Sequence, residues 1–336
     1  LRFLLPLVGA LGINAVFHRE GRLPQRPLEP LLAELVRHGM SATADGCDLH
    51  CQGQLRSGDY VLPGDVSSQF VSALLLALPL LPGDSTLTLT SAPESAPYIA
   101  MTEEVLAAAG ISLYRTGSRY RIPGGQRYRL PSHLTVEGDW SSAAFFLCAG
   151  AMSREGIAVD GLSLPTRQGD SALLPLLRQM GAEVNLSSGC ITVRKGRLRA
   201  TDIDARPIPD LIPPLSVLAA AAEGGSHIQN ARRLRYKESD RLQGIAELLN
   251  SLGGCLTVDG DSLLIHGVSH LRGGTVDPMG DHRLAMSAAL AALSADAPVT
   301  VRDADCVSKS YPAFWADFQS LKGEAPCPAP SETPSV

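Results

Sequence analysis

The stretch Gly253-Gly-Cys-Leu-Thr-Val-Asp-Gly-Asp-Ser-Leu-Leu-Ile265 decides the fold, because its pattern recurs along the chain. A glycine ends an apolar helix, a strand follows, and a tight turn leads into a second strand. The equivalent glycines are separated by 71, 71 and 72 residues, at Gly39, Gly110, Gly181 and Gly253. A solenoid repeat is much shorter. The period therefore predicts a duplicated α/β unit that contains several elements.

Each hairpin leads to a second marker, an aspartate that precedes an apolar helix. The aspartates are Asp65, Asp139, Asp210 and Asp281, and the helices run through Phe70–Leu81, Ala143–Met152, Leu211–Ala222 and Leu284–Leu293. Capping of the helix start explains all four aspartates. A functional role would require the helix starts to converge, since their free N–H groups favour anions. The repeat thus predicts two units on each side of a midpoint near residue 137.

Further helices and a strand complete the repeated unit. Apolar periodicity predicts helices over Pro27–His38, Pro97–Ala109 and Asp170–Met180, and alternation predicts a half-buried strand over Ser85–Ser91.

Composition limits the classes of function. The chain has 336 residues, is 45% hydrophobic and carries a net charge of −5, which argues against nucleic acid as a partner. Apolar runs are too short to span a membrane. Seven scattered cysteines indicate a reducing cytoplasm. Cys47, His50 and Cys51 have no second ligand pair at zinc spacing, so we expect no metal.

The stretch Arg233-Leu-Arg-Tyr-Lys-Glu-Ser-Asp-Arg241 is where we expect the chemistry. Ser239 and Asp240 suit a helix start, and the four-residue spacing predicts that Lys237 and Arg241 share one helix face. An anion between them would relieve the repulsion. Glu238 could hold the Arg241 guanidinium or transfer a proton. The alternative is a solvated, charged helix start.

Other polar residues suit a phosphorylated ligand. Ser67-Ser68-Gln69 opens a helix with two hydroxyls and an amide, although capping alone could explain it. Arginine grips carboxylate or phosphate bidentately, which makes Arg26 a candidate. Arg283 and Lys309 also precede or open helices, where a cation is locally unfavourable. Together these cations predict one shared ligand that carries more than one negative charge.

These residues resemble 5-enolpyruvylshikimate-3-phosphate (EPSP) synthase, from Leu1 to about Leu321. Seven motifs in the family's order carry the resemblance: Arg22-Leu-Pro-Gln-Arg26-Pro27, Ser67-Ser-Gln69, Ser95-Ala-Pro-Tyr98, Ile208-Pro-Asp210, Lys237-Glu-Ser-Asp-Arg241, Gly280-Asp-His-Arg283 and Lys309-Ser-Tyr-Pro312. The resemblance implies an α/β fold of two similar domains, built from repeated βαβαββ units, that close on a cleft. We expect domains at 1–136 and 137–322, and a disordered tail at 323–336 that is rich in Pro, Ser and Glu.

The resemblance implies transfer of the enolpyruvyl group of phosphoenolpyruvate to the 5-hydroxyl of shikimate-3-phosphate, with release of phosphate. Shikimate-3-phosphate would contact Ser67, Ser68, Gln69, Ser95, Tyr98, Asp210 and Lys237. Phosphoenolpyruvate would contact Arg26, Gln69, Arg241, Arg283 and Lys309. Asp210 would take the hydroxyl proton, Lys237 would assist, and Glu238 would transfer protons at the pyruvyl methylene. No cofactor is implied, and we expect a cytoplasmic monomer.

The sequence departs from the family at its start, because the opening segment that precedes Leu1-Arg2-Phe3 is absent. That segment carries a Lys-Ser pair, an Arg and a Gly-rich turn. We therefore expect the first domain to be incomplete and this chain alone to be weakly active or inactive. Arg233 stands where the family often has Asn, and it receives no role.

The sequence leaves three alternative functions open. UDP-N-acetylglucosamine enolpyruvyl transferase has a loop cysteine that is absent near Arg22–Arg26, and Ser67-Ser-Gln69 fits shikimate-3-phosphate better. A remnant would bind substrate without turnover. A structural repeat protein would not respond to either ligand.

Overall fold

The computed structural model describes residues 1–187 and 189–321 as a mixed α/β structure of several small sheets. The helices are α1 (Leu4–Ala10), α2 (Leu31–Arg37), α3 (Ser68–Ala77), α4 (Ala96–Ala108), α5 (Trp140–Met152), α6 (Leu173–Gln179), α7 (Ile212–Ala220), α8 (Arg241–Ser251), α9 (His282–Ala291) and α10 (Phe314–Ser320). The strands are β1 (Ala15–His18), β2 (Ser41–Asp45), β3 (Asp48–Gln52), β4 (Asp59–Leu62), β5 (Ser85–Leu89), β6 (Tyr114–Thr116), β7 (Arg119–Ile122), β8 (Ile157–Asp160), β9 (Glu183–Ser187), β10 (Cys190–Arg194), β11 (Ile203–Asp204), β12 (Gly225–Gln229), β13 (Cys255–Asp259), β14 (Ser262–His266), β15 (Gly274–Val276) and β16 (Val299–Val301).

The chain divides into two compact units. The first contains Leu1–Gly138 together with Ser163–Ala172 and Asp204–Pro209, and the second contains Asp139–Leu162, Leu173–Ile203 and the described residues from Asp210 onward. The functional domains at 1–136 and 137–322 stay a prediction. The tail expected at 323–336 lies outside the described residues.

The first unit contains one complete βαβαββ repeat. Strands β4 and β5 are parallel and are joined through α3, after which α4 leads into the β6–β7 hairpin. The hairpin returns to β5, so the sheet order is β4-β5-β7-β6. A partial copy precedes it, with α2 between β1 and the β2–β3 hairpin and the sheet order β1-β3-β2.

The second unit repeats the same pattern. Helices α7 and α8 alternate with β11, β12 and the β13–β14 hairpin, in the sheet order β11-β12-β14-β13. A partial copy gives the order β8-β10-β9, and α9 joins the parallel strands β15 and β16. The sequence-based prediction of four hairpins at the same place in a repeated unit is confirmed.

Each unit is built around helices that are buried on nearly every side. In the first unit α3 packs against α1 and α4, and in the second α5, α7 and α9 pack against one another. Helix α7 is buried along its whole length. A helix that is apolar all round belongs in a core, which explains why the apolar runs after the four aspartates became these central helices.

The predicted helices are confirmed with changes of boundary. Helix α3 ends at Ala77 and not at Leu81, and α6 begins at Leu173 and not at Asp170. Helix α2 begins at Leu31 and not at Pro27. A residue before proline is disfavoured in helical conformation, and Glu29 precedes Pro30. The strand expected over Ser85–Ser91 is β5, with alternating burial along its length. Within the described part of the chain, no helix is long and apolar enough to cross a membrane.

The repeated glycines all have positive φ, between +76° and +105°. At Gly181 a Cβ atom would also lie 2.2 Å from the carbonyl oxygen of Arg197. Gly260, in the β13–β14 turn, has φ +55° with open space around the Cβ position. The two sites therefore separate the strain of a left-handed backbone from a steric clash.

We predict that Gly260→Ala lowers the free energy of unfolding by about 1–2 kcal/mol, from backbone strain alone. Gly181→Ala adds the clash and should lower it by at least about 2 kcal/mol more. Urea denaturation of both variants measures the difference, and equal losses would contradict the assignment of Gly181 as a position that only glycine fits.

Candidate active site

The site in the second unit is organised by Arg241, the first residue of α8. Asp240 caps this helix and accepts a hydrogen bond from the Gln243 N–H at 3.1 Å. The Arg241 side chain is 1% exposed, and its guanidinium donates to three carboxylates. Nε and Nη2 donate to Asp281 at 2.8 and 3.2 Å, Nη1 to Asp210 at 2.8 Å, and Nη2 to Glu238 at 2.6 Å. The expectation that Glu238 holds Arg241 is confirmed.

Asp210 lies among three cations. Lys237 Nζ is 3.2 Å from Asp210 Oδ1, Arg241 Nη1 is 2.8 Å away, and Arg283 Nε is 3.5 Å away. Burial alone would raise the pKa of Asp210, but Lys237, Arg283 and Arg241 together hold it well below its usual range. Asp210 is therefore an ionised carboxylate at neutral pH.

The expectation that Lys237 and Arg241 share a helix face is wrong. Lys237 has extended backbone before the helix, since Asp240 fixes the helix start one residue before Arg241. The two cations do meet, however, and the anion between them is a protein side chain, Asp210. Burial is the main reason that the pKa of Lys237 is lowered, and the nearby arginines add to it while Asp210 opposes it.

Asp281 was predicted only as a helix cap, and it is also a structural partner of Arg241. It caps α9 by accepting from the Arg283 N–H at 3.0 Å, and it accepts from the Ser239 hydroxyl at 2.9 Å. Its side chain is fully buried. No local signal in the sequence indicated this second role, since Arg241 lies 40 residues before Asp281.

Only two of the four predicted caps are correct. Asp139 and Asp281 accept from helix N–H groups, at Ser141 and Arg283. Asp65 lies before Ser67, the residue at the N-cap of α3, and accepts instead from the Ser91 hydroxyl at 2.7 Å. Asp210 is inside a 3₁₀ turn, Pro209–Leu211, and its carboxylate accepts from Lys237 and Arg241.

The repeat determines where four of the predicted site residues lie along the chain. Asp210 follows β11, and Lys237 follows β12, its neighbour in the sheet. Arg283 and Lys309 follow β15 and β16, which are paired in parallel. Polar residues that follow the carboxyl ends of adjacent strands come to the same edge of a sheet. Four predicted site residues thus have equivalent positions in the repeat.

Among the described residues, Lys309 is a predicted phosphoenolpyruvate-binding cation of the second unit that makes no contact with this cluster. It ends a 3₁₀ helix, Ala304–Lys309, and α10 begins only at Phe314. Its side chain is exposed, and no hydrogen bond or ion pair to it is present in the described part of the chain. Lys309 precedes the last helix, as expected. It lies too far from the first residue of that helix, Phe314, to oppose the helix dipole.

The first unit gathers a second group of predicted residues at the start of α3. Ser67 and Ser68 are buried and Gln69 is half-buried. Although Ser67 occupies the N-cap position, its side chain does not cap the helix. The alternative explanation, that Ser67 only caps the helix, is therefore wrong. Its hydroxyl accepts from Arg2 Nη1 at 3.4 Å, and Arg2 is a residue that sequence reasoning missed.

Ser95 and Tyr98 lie at the start of α4, which follows β5 as α3 follows β4. Ser95 is buried and has a left-handed backbone, with φ 53°. The loops before the two helices are joined, since the Gly64 N–H donates to the Ser91 hydroxyl at 2.9 Å. Arg26 adjoins Pro27, whose carbonyl oxygen accepts from Arg2. Arg26 belongs to this first unit.

No group of three or more His, Cys, Asp or Glu side chains in the described residues could hold a metal ion. His50 is exposed and Cys51 is buried, so they point to opposite faces of β3.

Comparison with known proteins fits this geometry. Residues 1–318 match the family described as EPSP synthase (3-phosphoshikimate 1-carboxyvinyltransferase). The chain belongs to the EPSP synthase family. A 3-phosphoshikimate 1-carboxyvinyltransferase from Clostridium kluyveri is 41% identical over 329 residues, which are 96% of this chain and 76% of the relative. One from Brachyspira hyodysenteriae is 38% identical and covers 96% of this chain and 77% of the relative.

Solved structures agree with membership of the EPSP synthase family. EPSP synthase from Acinetobacter baumannii has a TM-score of 0.75 at 27% identity, over 95% of this chain and 76% of that one. The enolpyruvyl transferase NikO from Streptomyces tendae has a TM-score of 0.77 over 96% of this chain and 76% of that one. Its 22% identity supports the fold alone.

His282 lies between the capping Asp281 and Arg283, and it is buried. Its Nδ1 is 4.0 Å from Asp281 Oδ1 and has no hydrogen-bond partner within the described chain. Burial, followed by the charges of Arg283 and Arg241, lowers the pKa of His282 to about 4. The folded chain therefore keeps this imidazole neutral at pH values where the unfolded chain binds a proton.

We predict that the free energy of unfolding falls as the pH drops from about 6.5 to about 4, by up to about 3 kcal/mol from His282 alone. The loss of unfolding free energy begins at a higher pH than the range in which ordinary carboxylates titrate. Chemical denaturation at several pH values measures it. His282→Gln should flatten this part of the profile, whereas His133→Gln, at an exposed loop position, should leave it unchanged. A His282→Gln profile identical to that of wild type would contradict the assignment.

Proposed function

We propose that the chain transfers the enolpyruvyl group of phosphoenolpyruvate to the 5-hydroxyl of shikimate-3-phosphate and releases phosphate. The observation that carries the proposal is Asp210, an ionised carboxylate among three cations, in a family whose relatives carry this activity in their names. These names favour shikimate-3-phosphate over UDP-N-acetylglucosamine as the acceptor.

Phosphoenolpyruvate suits the cations of the second unit, since it carries a carboxylate and a phosphate. We assign its binding to Arg26, Gln69, Arg241, Arg283 and Lys309. Four of the five N–H donors of Arg241 bind three carboxylates, so a ligand oxygen must take the remaining N–H on Nη1 or share or replace one of these bonds. Arg283 has weaker contacts, at 3.3 and 3.5 Å, and is better placed to change partner.

Asp210 is assigned as the base that takes the 5-hydroxyl proton. A carboxylate whose pKa lies far below neutral is a weak base. An anionic ligand that draws on Lys237, Arg241 and Arg283 weakens their hold on Asp210 and so raises its pKa. Phosphoenolpyruvate thus supplies the group to be transferred and also makes Asp210 a better proton acceptor.

Glu238 is assigned to proton transfer at the pyruvyl methylene carbon. Attack of the hydroxyl oxygen on the adjacent carbon requires a proton at the methylene, and departure of phosphate requires that one be removed. Burial would raise the pKa of Glu238, but Arg241 lowers it. The ionised form suits removal of the proton in the second step.

Shikimate-3-phosphate is assigned to Ser67, Ser68, Gln69, Ser95, Tyr98, Asp210 and Lys237. Hydroxyls, an amide and helix N–H groups in the first unit suit a phosphorylated polyol. Lys237 supplies a compact positive charge.

The monomeric state and the cytoplasmic location stay predictions. The six described cysteines are free thiols, which suits a reducing compartment.

The proposal is tested by phosphorus NMR of the purified chain, at a concentration near that of its substrates. We predict that phosphoenolpyruvate and shikimate-3-phosphate are consumed one for one, with one phosphate released per transfer, at the low rate that we expect of this chain alone. Asp210→Asn should slow the transfer by about 100-fold or more. The matched control, Asp296→Asn, changes an exposed aspartate of the same unit and should react at the wild-type rate.

Two results would contradict the proposed function. One is phosphate release with UDP-N-acetylglucosamine in place of shikimate-3-phosphate. The other is calorimetric binding of both substrates without any product at long incubation, as a remnant would show. Thermal unfolding of Asp210→Asn distinguishes a slower reaction in a folded variant from a slower reaction that is caused by unfolding.

A further inference from the structure

Arg2 lies against the start of α3 and is held there by hydrogen bonds and by a ring contact. Nη1 donates to Gln69 Oε1 at 3.0 Å and to the Ser67 hydroxyl at 3.4 Å. Nη2 donates to the Pro27 carbonyl oxygen at 2.9 Å. The guanidinium carbon lies 5.0 Å from the centre of the Phe70 ring, within cation–π distance. The guanidinium is thus fixed in position relative to the first turn of the helix.

This placement determines which way the Gln69 amide faces. Arginine has N–H donors and no acceptor, so the amide must turn its oxygen toward Arg2. The NH₂ group then faces away, and it has no hydrogen-bond partner among residues 1–187 and 189–321. Without Arg2 the amide could present either its oxygen or its nitrogen. With Arg2 in place, Gln69 presents only donors.

The same argument applies to Ser67. Its hydroxyl oxygen accepts from Arg2, which leaves the hydroxyl hydrogen available for another acceptor. Its side chain does not cap α3, so it does not compete for the N–H groups of the first turn. A hydroxyl, an amide NH₂ and backbone N–H groups are therefore offered together. Such a set of donors matches the oxygens of a phosphate.

We propose that Arg2 is a positioning residue that sets Gln69 and Ser67 as donors for the phosphorylated acceptor substrate. The inference rests on the proposed function, because that function supplies the ligand. Arg2 acts through Gln69 and Ser67 and makes no contact with the substrate itself.

The test is a double-mutant cycle on the full 336-residue chain, with shikimate-3-phosphate affinity measured by calorimetry. Arg2→Met and Gln69→Met should each weaken binding about tenfold or more. If Arg2 acts through Gln69, the double variant should bind only slightly more weakly than the worse single variant. Arg2→Lys keeps one charged donor group and should fall between wild type and Arg2→Met.

Arg127→Met is the matched control, since Arg127 is exposed in the same unit, and it should bind as wild type does. Thermal unfolding of each variant separates loss of affinity from loss of fold. Equal affinity of Arg2→Met and wild type would overturn this proposal alone, and so would fully additive effects in the double variant, which would indicate direct contact. A wild-type chain that binds neither shikimate-3-phosphate nor inorganic phosphate would overturn the proposed function as well.

Discussion

The buried guanidinium of Arg241 is the interaction on which the site of the second unit depends. A charge removed from water is strongly unfavourable unless it is paired and hydrogen-bonded. Arg241 meets this requirement with Asp210, Glu238 and Asp281, which come from three separate segments of the chain. The carboxylate Asp281 is itself fully buried. The network therefore fixes the segment before α7, the entry to α8 and the start of α9 relative to one another.

This network also balances the positive charge of three neighbouring cations. Lys237, Arg241 and Arg283 would repel one another, and Asp210 lies within reach of all three. Phosphoenolpyruvate would compete with Asp210 for the same positive charge. In our account, substrate binding and activation of the base are one electrostatic event, because the cations that hold the ligand are those that lower the pKa of Asp210.

Periodicity and turn chemistry made much of the fold predictable, since the helix–glycine–hairpin pattern at Gly39, Gly110, Gly181 and Gly253 is local in sequence. The site was predictable as a set of motifs but not as contacts. Asp210 resembled a cap because its partners lie 27 and 31 residues away. Asp240 placed the helix start after Lys237, which spacing alone did not indicate. Arg2 carried no local signal, since its partners lie 65 and 67 residues on.

The most direct test is to measure the pKa of the Asp210 side chain from the carbon-13 chemical shift of its carboxyl carbon. The Asp210 signal is identified because it is missing from the spectrum of Asp210→Asn. Titrations are run with and without phosphoenolpyruvate. The account predicts a pKa well below the usual range of aspartate in the ligand-free chain and a higher value with phosphoenolpyruvate bound. An ordinary pKa without ligand, or one that phosphoenolpyruvate leaves unchanged, would contradict the claim that substrate and base share the same cations.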